Sequence, residues 1–150
     1  MAHALDGSIH NSVTAMPADH AGKRKRALQV AVALCSLVPI TAGAGGMLLG
    51  PCFFETPVIE PADLDGHFRY LSGLLLGIGI AYLLAIPGIE RHRKLFLLLG
   101  AIVVLGGFGR LFGMLTTGAP TPFVLFALAM ELVVTPLITL WQARISQAAS

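Results

Sequence analysis

Three ionisable residues stand inside or at the edge of long apolar stretches of this chain: Arg69, Arg110 and Glu131. A charge at mid-bilayer depth costs about 2.5–3.5 kcal/mol on insertion scales, so such groups normally face inward and pair. Arg110 lies eight residues before Gly118 and Glu131 ten after Thr121, with a short uncharged loop between the two runs. In an antiparallel hairpin both would lie about 12–15 Å below its turn, at 1.5 Å per residue. Arg69 opens an earlier apolar run, close to the same side. Residues three or four apart share a helical face. Arg69 thus shares its face with Gly73 and Gly77, Arg110 with Gly106 and Gly113, and Glu131 with Ala127 and Thr135. The expectation is a single Arg69–Arg110–Glu131 cluster on the small-residue, inward side of the helices.

Two chemistries fit such a cluster. In one, Arg110 and Glu131 form an ion pair that locks a hairpin, while Arg69 snorkels to the surface. In the other, one carboxylate against two guanidiniums leaves a positive excess in an outward-opening pocket. That excess suits a carboxylate, a phosphate or a lipid headgroup, with His67 at the rim. An enzyme acting on a lipid-like substrate would use Glu131 as acid or base, but an adjacent arginine favours the ionised carboxylate and weakens that role. A transporter subunit would need an oligomer, because no inverted repeat is evident. The sequence has no phosphate-binding glycine loop and no nucleophile elbow. His3, His10 and His20 are too far apart to suggest a metal site. The reading is therefore a non-enzymatic protein with no catalytic residue, metal or cofactor assigned. Cys35 and Cys52 are seventeen residues apart. Along one helix that is about 25 Å, too far for a disulfide.

The elements that position these residues follow from composition. Of 150 residues, 55% are hydrophobic and only 12% charged. Soluble domains carry about 25% charged residues, so lipid must cover the excess apolar surface. Four apolar runs, about 27–50, 68–86, 95–116 and 122–141, each match the roughly 20 residues that cross about 30 Å of hydrocarbon. The fold class is an all-α integral membrane bundle of four transmembrane helices. Residues 1–22 read as a disordered tail, 23–145 as the membrane domain and 146–150 as a second tail. The first apolar run is longer than a signal-peptide core.

Lys23–Arg26, the connection Pro87–Lys94 and Arg144 put the basic residues on one side. Glu55, Glu60, Asp63 and Asp65 fall on the other. By the positive-inside rule both termini face the cytoplasm. The basic quartet Lys23–Arg26 reads as a topology signal touching anionic lipid, not as a nucleic-acid site. Lipid offers no hydrophobic drive for helix association, so small residues must permit close packing. Gly46 and Gly50, Gly73 and Gly77, and Gly106, Gly109 and Gly113 are the expected packing positions. Pro136 leaves the carbonyl of Leu132 without its usual donor and predicts a kink. Expected partners are membrane lipids, a second copy or another membrane protein.

The stretch His67-Phe68-Arg69-Tyr70-Leu71-Ser72-Gly73-Leu74-Leu75-Leu76-Gly77, with Gly107-Phe108-Gly109-Arg110-Leu111, Gly118-Ala119-Pro120 and Glu131-Leu132-Val133-Val134-Thr135-Pro136, resembles a bacterial membrane family. It is the family catalogued as domain of unknown function 4345, and the resemblance covers roughly residues 27–145. It implies a four-helix membrane bundle, with Arg69, Arg110, Glu131 and Pro136 among the family's marked positions. An inner-membrane location follows as an expectation. The resemblance implies no activity, substrate or cofactor.

Overall fold

A computed structural model describes residues 18–53, 62–118 and 121–148. The described residues are almost entirely helical: α1 (Ala18–Leu49), α2 (Ala62–Ala85), α3 (Arg93–Thr117) and α4 (Pro122–Ala148). A short 3-10 turn, Gly50–Phe53, follows α1. All four helices are long and apolar enough to cross a membrane. Large apolar side chains cover the outside, including Leu84 and Leu115 at 75% exposure and Phe112 at 70%. A surface of that kind is stable against lipid and not against water. The chain is a multi-pass membrane protein.

Several helix boundaries differ from those read off hydropathy. Helix α1 starts at Ala18, so residues 18–22 are helical and the expected tail of 1–22 is shortened; residues 1–17 lie outside the described residues. Its first nine residues precede the apolar run and add about 13 Å of helix beyond the bilayer-matched segment. Helix α2 begins at Ala62, six residues before its apolar run, with Asp63 and Asp65 in its first turn, where carboxylates favour the positive end of the helix dipole. Helix α4 likewise runs on to Ala148. Hydropathy marks what lipid covers, whereas hydrogen bonding continues through polar turns on either side.

Local chemistry sets the other ends. Thr121 caps α4, its hydroxyl accepting from the Val124 N–H, and Pro122 stands at the first turn, where its missing N–H is no loss. Gly50, at φ +68°, turns the chain out of α1 in the left-handed conformation that glycine adopts without penalty.

The helices pair as two hairpins. In the first, α1 lies against α2 at backbone distance: a Cβ on Gly43 would sit 2.5 Å from the Leu76 nitrogen. One on Gly46 would collide with Ser72, and one on Gly79 would lie 2.7 Å from Ile40 Cγ1. In the second, Gly100 makes room for Thr139, and Gly107 makes room for Leu132 and Glu131. This corrects the expected glycine set. Gly73 meets only the Met47 sulfur, at 3.6 Å, and a Cβ at Gly77, Gly106, Gly109 or Gly113 would meet nothing within 4 Å. Four-residue spacing shows that two glycines share a face, but not that this face is the packed one. On α2 the packed line runs through Ser72, Leu76 and Gly79, turned away from Gly73 and Gly77.

The hairpins meet at the end that carries both termini. Leu28, Val32, Tyr82, Ala85, Ile89, Phe96 and Leu99 form the core there. Tyr82 and Phe96 stack edge to face at 5.2 Å. Polar ties cross the same junction: Gln142 Nε2 donates to the Ile89 carbonyl at 2.7 Å and Gln29 Nε2 to that of Ile86 at 2.9 Å. Lys25 Nζ lies 2.9 Å from both Glu90 carboxylate oxygens. Toward the opposite end the hairpins separate. No Cα of Pro122–Val134 comes within 8 Å of one in α1 or α2.

Candidate functional site

Arg110 and Glu131 meet as the depth argument predicts. Arg110 Nε donates to Glu131 Oε2 at 3.0 Å and Nη2 to Oε1 at 2.9 Å. This is a two-pronged fork, the strongest geometry available to the pair. The arginine side chain is 36% exposed and the glutamate 17%. Arg110 is seven residues from the end of α3, about 10 Å inside it, and so within the hydrocarbon if the helix spans the bilayer.

Two features of the chain deliver Glu131 to this place. Pro136 has no N–H to offer the Leu132 carbonyl, and the turn before it widens: Met130–Val134 forms a π-turn. The Thr135 N–H donates to the Met130 carbonyl, five residues back, and the Thr135 hydroxyl donates to the same oxygen at 2.9 Å. The expected kink thus takes the form of a π-turn that contains Glu131. The second feature is Gly107, where a Cβ would sit 3.0 Å from Glu131 Cβ. The absent side chain brings α3 and α4 close enough for the fork to close. Sequence reasoning missed Gly107, although it stands three residues before Arg110 and so shares its face.

Arg69 does not join them. Its Nε donates to Asp65 Oδ2 at 2.7 Å, and its Nη1 donates to the carbonyls of Met47 and Leu48 at 3.0 and 2.9 Å. Arg69 therefore closes the carboxyl end of α1, whose last carbonyls have no partner within their own helix. The physical reason is the early start of α2. It puts Asp65 one helical turn before Arg69, so the countercharge is local and a distant glutamate is not needed. Gly50 belongs to this second site, because a Cβ there would lie 2.6 Å from Asp65 Oδ1. His67 is exposed and stacks obliquely on Tyr70 at 6.4 Å, within the first hairpin. The expected inward cluster of three is thus two separate sites, and the Arg110–Glu131 fork belongs to a two-helix hairpin instead of a four-helix interior.

At the other end, the Lys25 ammonium holds the Glu90 carboxyl below the usual carboxylate range, with a backbone hydrogen bond acting in the same direction. Cys35 and Cys52 are both free thiols, the first half-buried and the second exposed. Among the described residues, no group of three His, Cys, Asp or Glu side chains is placed to hold a metal ion.

The sequence profile of the family described as "Domain of unknown function (DUF4345)" matches residues 27–142, from the start of the first apolar run to Gln142. The chain belongs to that family. The matched segment contains Arg69, Arg110, Glu131 and Pro136, and hence both the fork and the cap on α1. No curated protein and no solved structure matches the chain.

Proposed function

We propose that the protein is a non-enzymatic component of the bacterial inner membrane, with both termini cytoplasmic, in which the Arg110–Glu131 fork clasps α3 to α4. The observation that carries this reading is the fork itself: both carboxylate oxygens accept from the same guanidinium. With both of its oxygens engaged by one guanidinium, Glu131 is occupied as a structural partner of Arg110. The orientation is supported by Lys25, Arg91, Arg93, Lys94 and Arg144, all near the end where the termini and the α2–α3 connection meet.

A second reading, binding of an anionic or lipid-like ligand, is favoured by the 36% exposure of the Arg110 side chain. Exchanging the charges (Arg110→Glu with Glu131→Arg) tests the two against each other. A clasp predicts that each single reversal destabilises the solubilised protein and that the exchange recovers most of the loss. A ligand site predicts little change in stability, and loss of a co-purifying lipid in native mass spectrometry that the exchange does not restore.

A further inference from the structure

The end of the bundle that carries both termini holds most of the cations of the chain. Of the 10 Lys and Arg residues, all but Arg69 and Arg110 belong to it. The fold draws them onto one place, the connection between α2 and α3. Lys25 Nζ reaches Glu90 at 2.9 Å, and Gln142, two residues before Arg144, donates to the Ile89 carbonyl at 2.7 Å. Arg24 stands one turn before Leu28, and Arg93 three residues before Phe96; Leu28 and Phe96 are fully buried where the hairpins meet. At about 100° per residue, each arginine lies within about 60° of its core residue, on the rim of that junction. Arg24, Arg26, Arg91, Arg93, Lys94 and Arg144 are all exposed. Acids do not balance them. Glu90 is engaged by Lys25, and this part of the sequence otherwise offers only Asp6 and Asp19. Helix α2 opens on Asp63 and Asp65, but α3 opens on Arg93 and Lys94 with no acid in its first turn, the reverse of what its dipole favours. The apolar runs begin at Ala27 and Leu95, so these cations lie at headgroup depth, where phospholipid phosphates are the anions within reach.

We propose that this end seats a phospholipid whose headgroup carries two phosphates, one on the arginines of α1 and the other on the cations that open α3, so that the lipid spans the junction of the hairpins. Charge complementarity selects an anionic headgroup. The division of the cations between two hairpins selects two linked phosphates over one. Once the first phosphate is bound, the second meets its cations as an intramolecular partner, which raises the overall affinity. A lipid with a single phosphate has no second group to offer the other hairpin. The bound lipid adds an electrostatic tie to the junction that the apolar core and the Lys25–Glu90 bridge already hold. The inference rests on the membrane-spanning architecture and not on the Arg110–Glu131 fork, and it holds whichever leaflet this end faces.

The test titrates the full chain in mild detergent with cardiolipin, with phosphatidylglycerol at matched negative charge, and with phosphatidylcholine, and counts bound lipid by native mass spectrometry. One cardiolipin per chain is expected, held at least about tenfold more tightly than phosphatidylglycerol, with phosphatidylcholine not retained. Arg24→Gln with Arg26→Gln, and separately Arg93→Gln with Lys94→Gln, should each bring cardiolipin down to the level of phosphatidylglycerol, because one phosphate then loses its partners. All four side chains are exposed, so thermal unfolding in lipid-free detergent should stay in place. Added cardiolipin should raise the transition of the native chain more than that of either variant. The proposal is overturned if cardiolipin and phosphatidylglycerol bind alike at matched charge, or if phosphatidylcholine is held as well as either. It is also overturned if both double variants keep the preference for cardiolipin. The lipid comparison on the native chain decides the matter even where a variant fails to fold.

Discussion

Removing Arg69, Arg110 and Glu131 singly and in pairs measures whether they form one cluster or two sites. For Arg110→Ala the upper bound is the roughly 3–5 kcal/mol lost when one partner of a fully buried ion pair is deleted. The lower bound is the average of about 0.6 kcal/mol for interhelical polar interactions in membranes. Glu131 is 17% exposed and Arg110 36%, which places the pair between these limits and nearer the middle. We expect each single replacement to cost about 2 kcal/mol and the double replacement about the same as either alone, a coupling of about 2 kcal/mol. Arg69→Ala frees two carbonyls of α1 and the Asp65 carboxylate. Because that site is exposed, its cost should be smaller than that of breaking the fork. Its coupling to Glu131 should be within about 0.3–0.5 kcal/mol of zero, as for independent sites. The assay is equilibrium unfolding in detergent micelles, followed by far-UV circular dichroism and by Trp141 fluorescence. Coupling between Arg69 and Glu131 as large as that between Arg110 and Glu131 would refute the two-site description, and so would strict additivity of Arg110 with Glu131.

Three further outcomes follow from the same geometry. Gly43→Ala should cost about 2–4 kcal/mol, because its Cβ meets α2 backbone that cannot yield, whereas Gly77→Ala should gain up to about 0.5–1 kcal/mol from reduced chain entropy. Denaturation midpoints of the two variants check this difference in sign. Pro136→Ala restores a donor to the Leu132 carbonyl, so the π-turn should relax to α-helix and swing Glu131 away from Arg110. The Arg110–Glu131 coupling measured in that background should then fall toward zero. The Glu90 carboxyl is depressed by Lys25, so the Lys25–Glu90 bridge stabilises the fold above the ordinary glutamate pKa and is lost as pH falls through the lower folded-state value. With the two side chains 37% and 21% exposed, the bridge is worth at most about 1 kcal/mol. The stability gap between the native chain and Glu90→Gln should therefore close on going from pH 7 to pH 3.

Much of this arrangement was legible in the residues. The four spans follow from apolar length alone, and the Arg110–Glu131 pair from equal depth about a short loop. Both properties are fixed by rise per residue and do not depend on which way a helix is rotated. What failed was rotation. Gly77, Gly106, Gly109 and Gly113 recur at helical spacing, but spacing cannot distinguish a packed face from one that faces away from the chain's other helices. The place of Arg69 depends on where α2 starts: a helix begun at residue 68 leaves Asp65 in a loop and hides its one-turn relation to Arg69. The π-turn was foreseen only as a kink, since a missing N–H shows that the ladder must break but not how the chain repairs it.

The short connection around Gly118 has a consequence for how the protein enters the membrane. Inserted one at a time, α3 and α4 would each carry an uncompensated charge into hydrocarbon, at about 2.5–3.5 kcal/mol apiece. With so few residues between them, the two helices can enter the membrane as one unit. The fork can then form before either helix reaches lipid, and the unit partitions with no net charge on the pair. The ion pair would serve biogenesis as well as the finished fold, with α4 admitted to the bilayer only in company with α3.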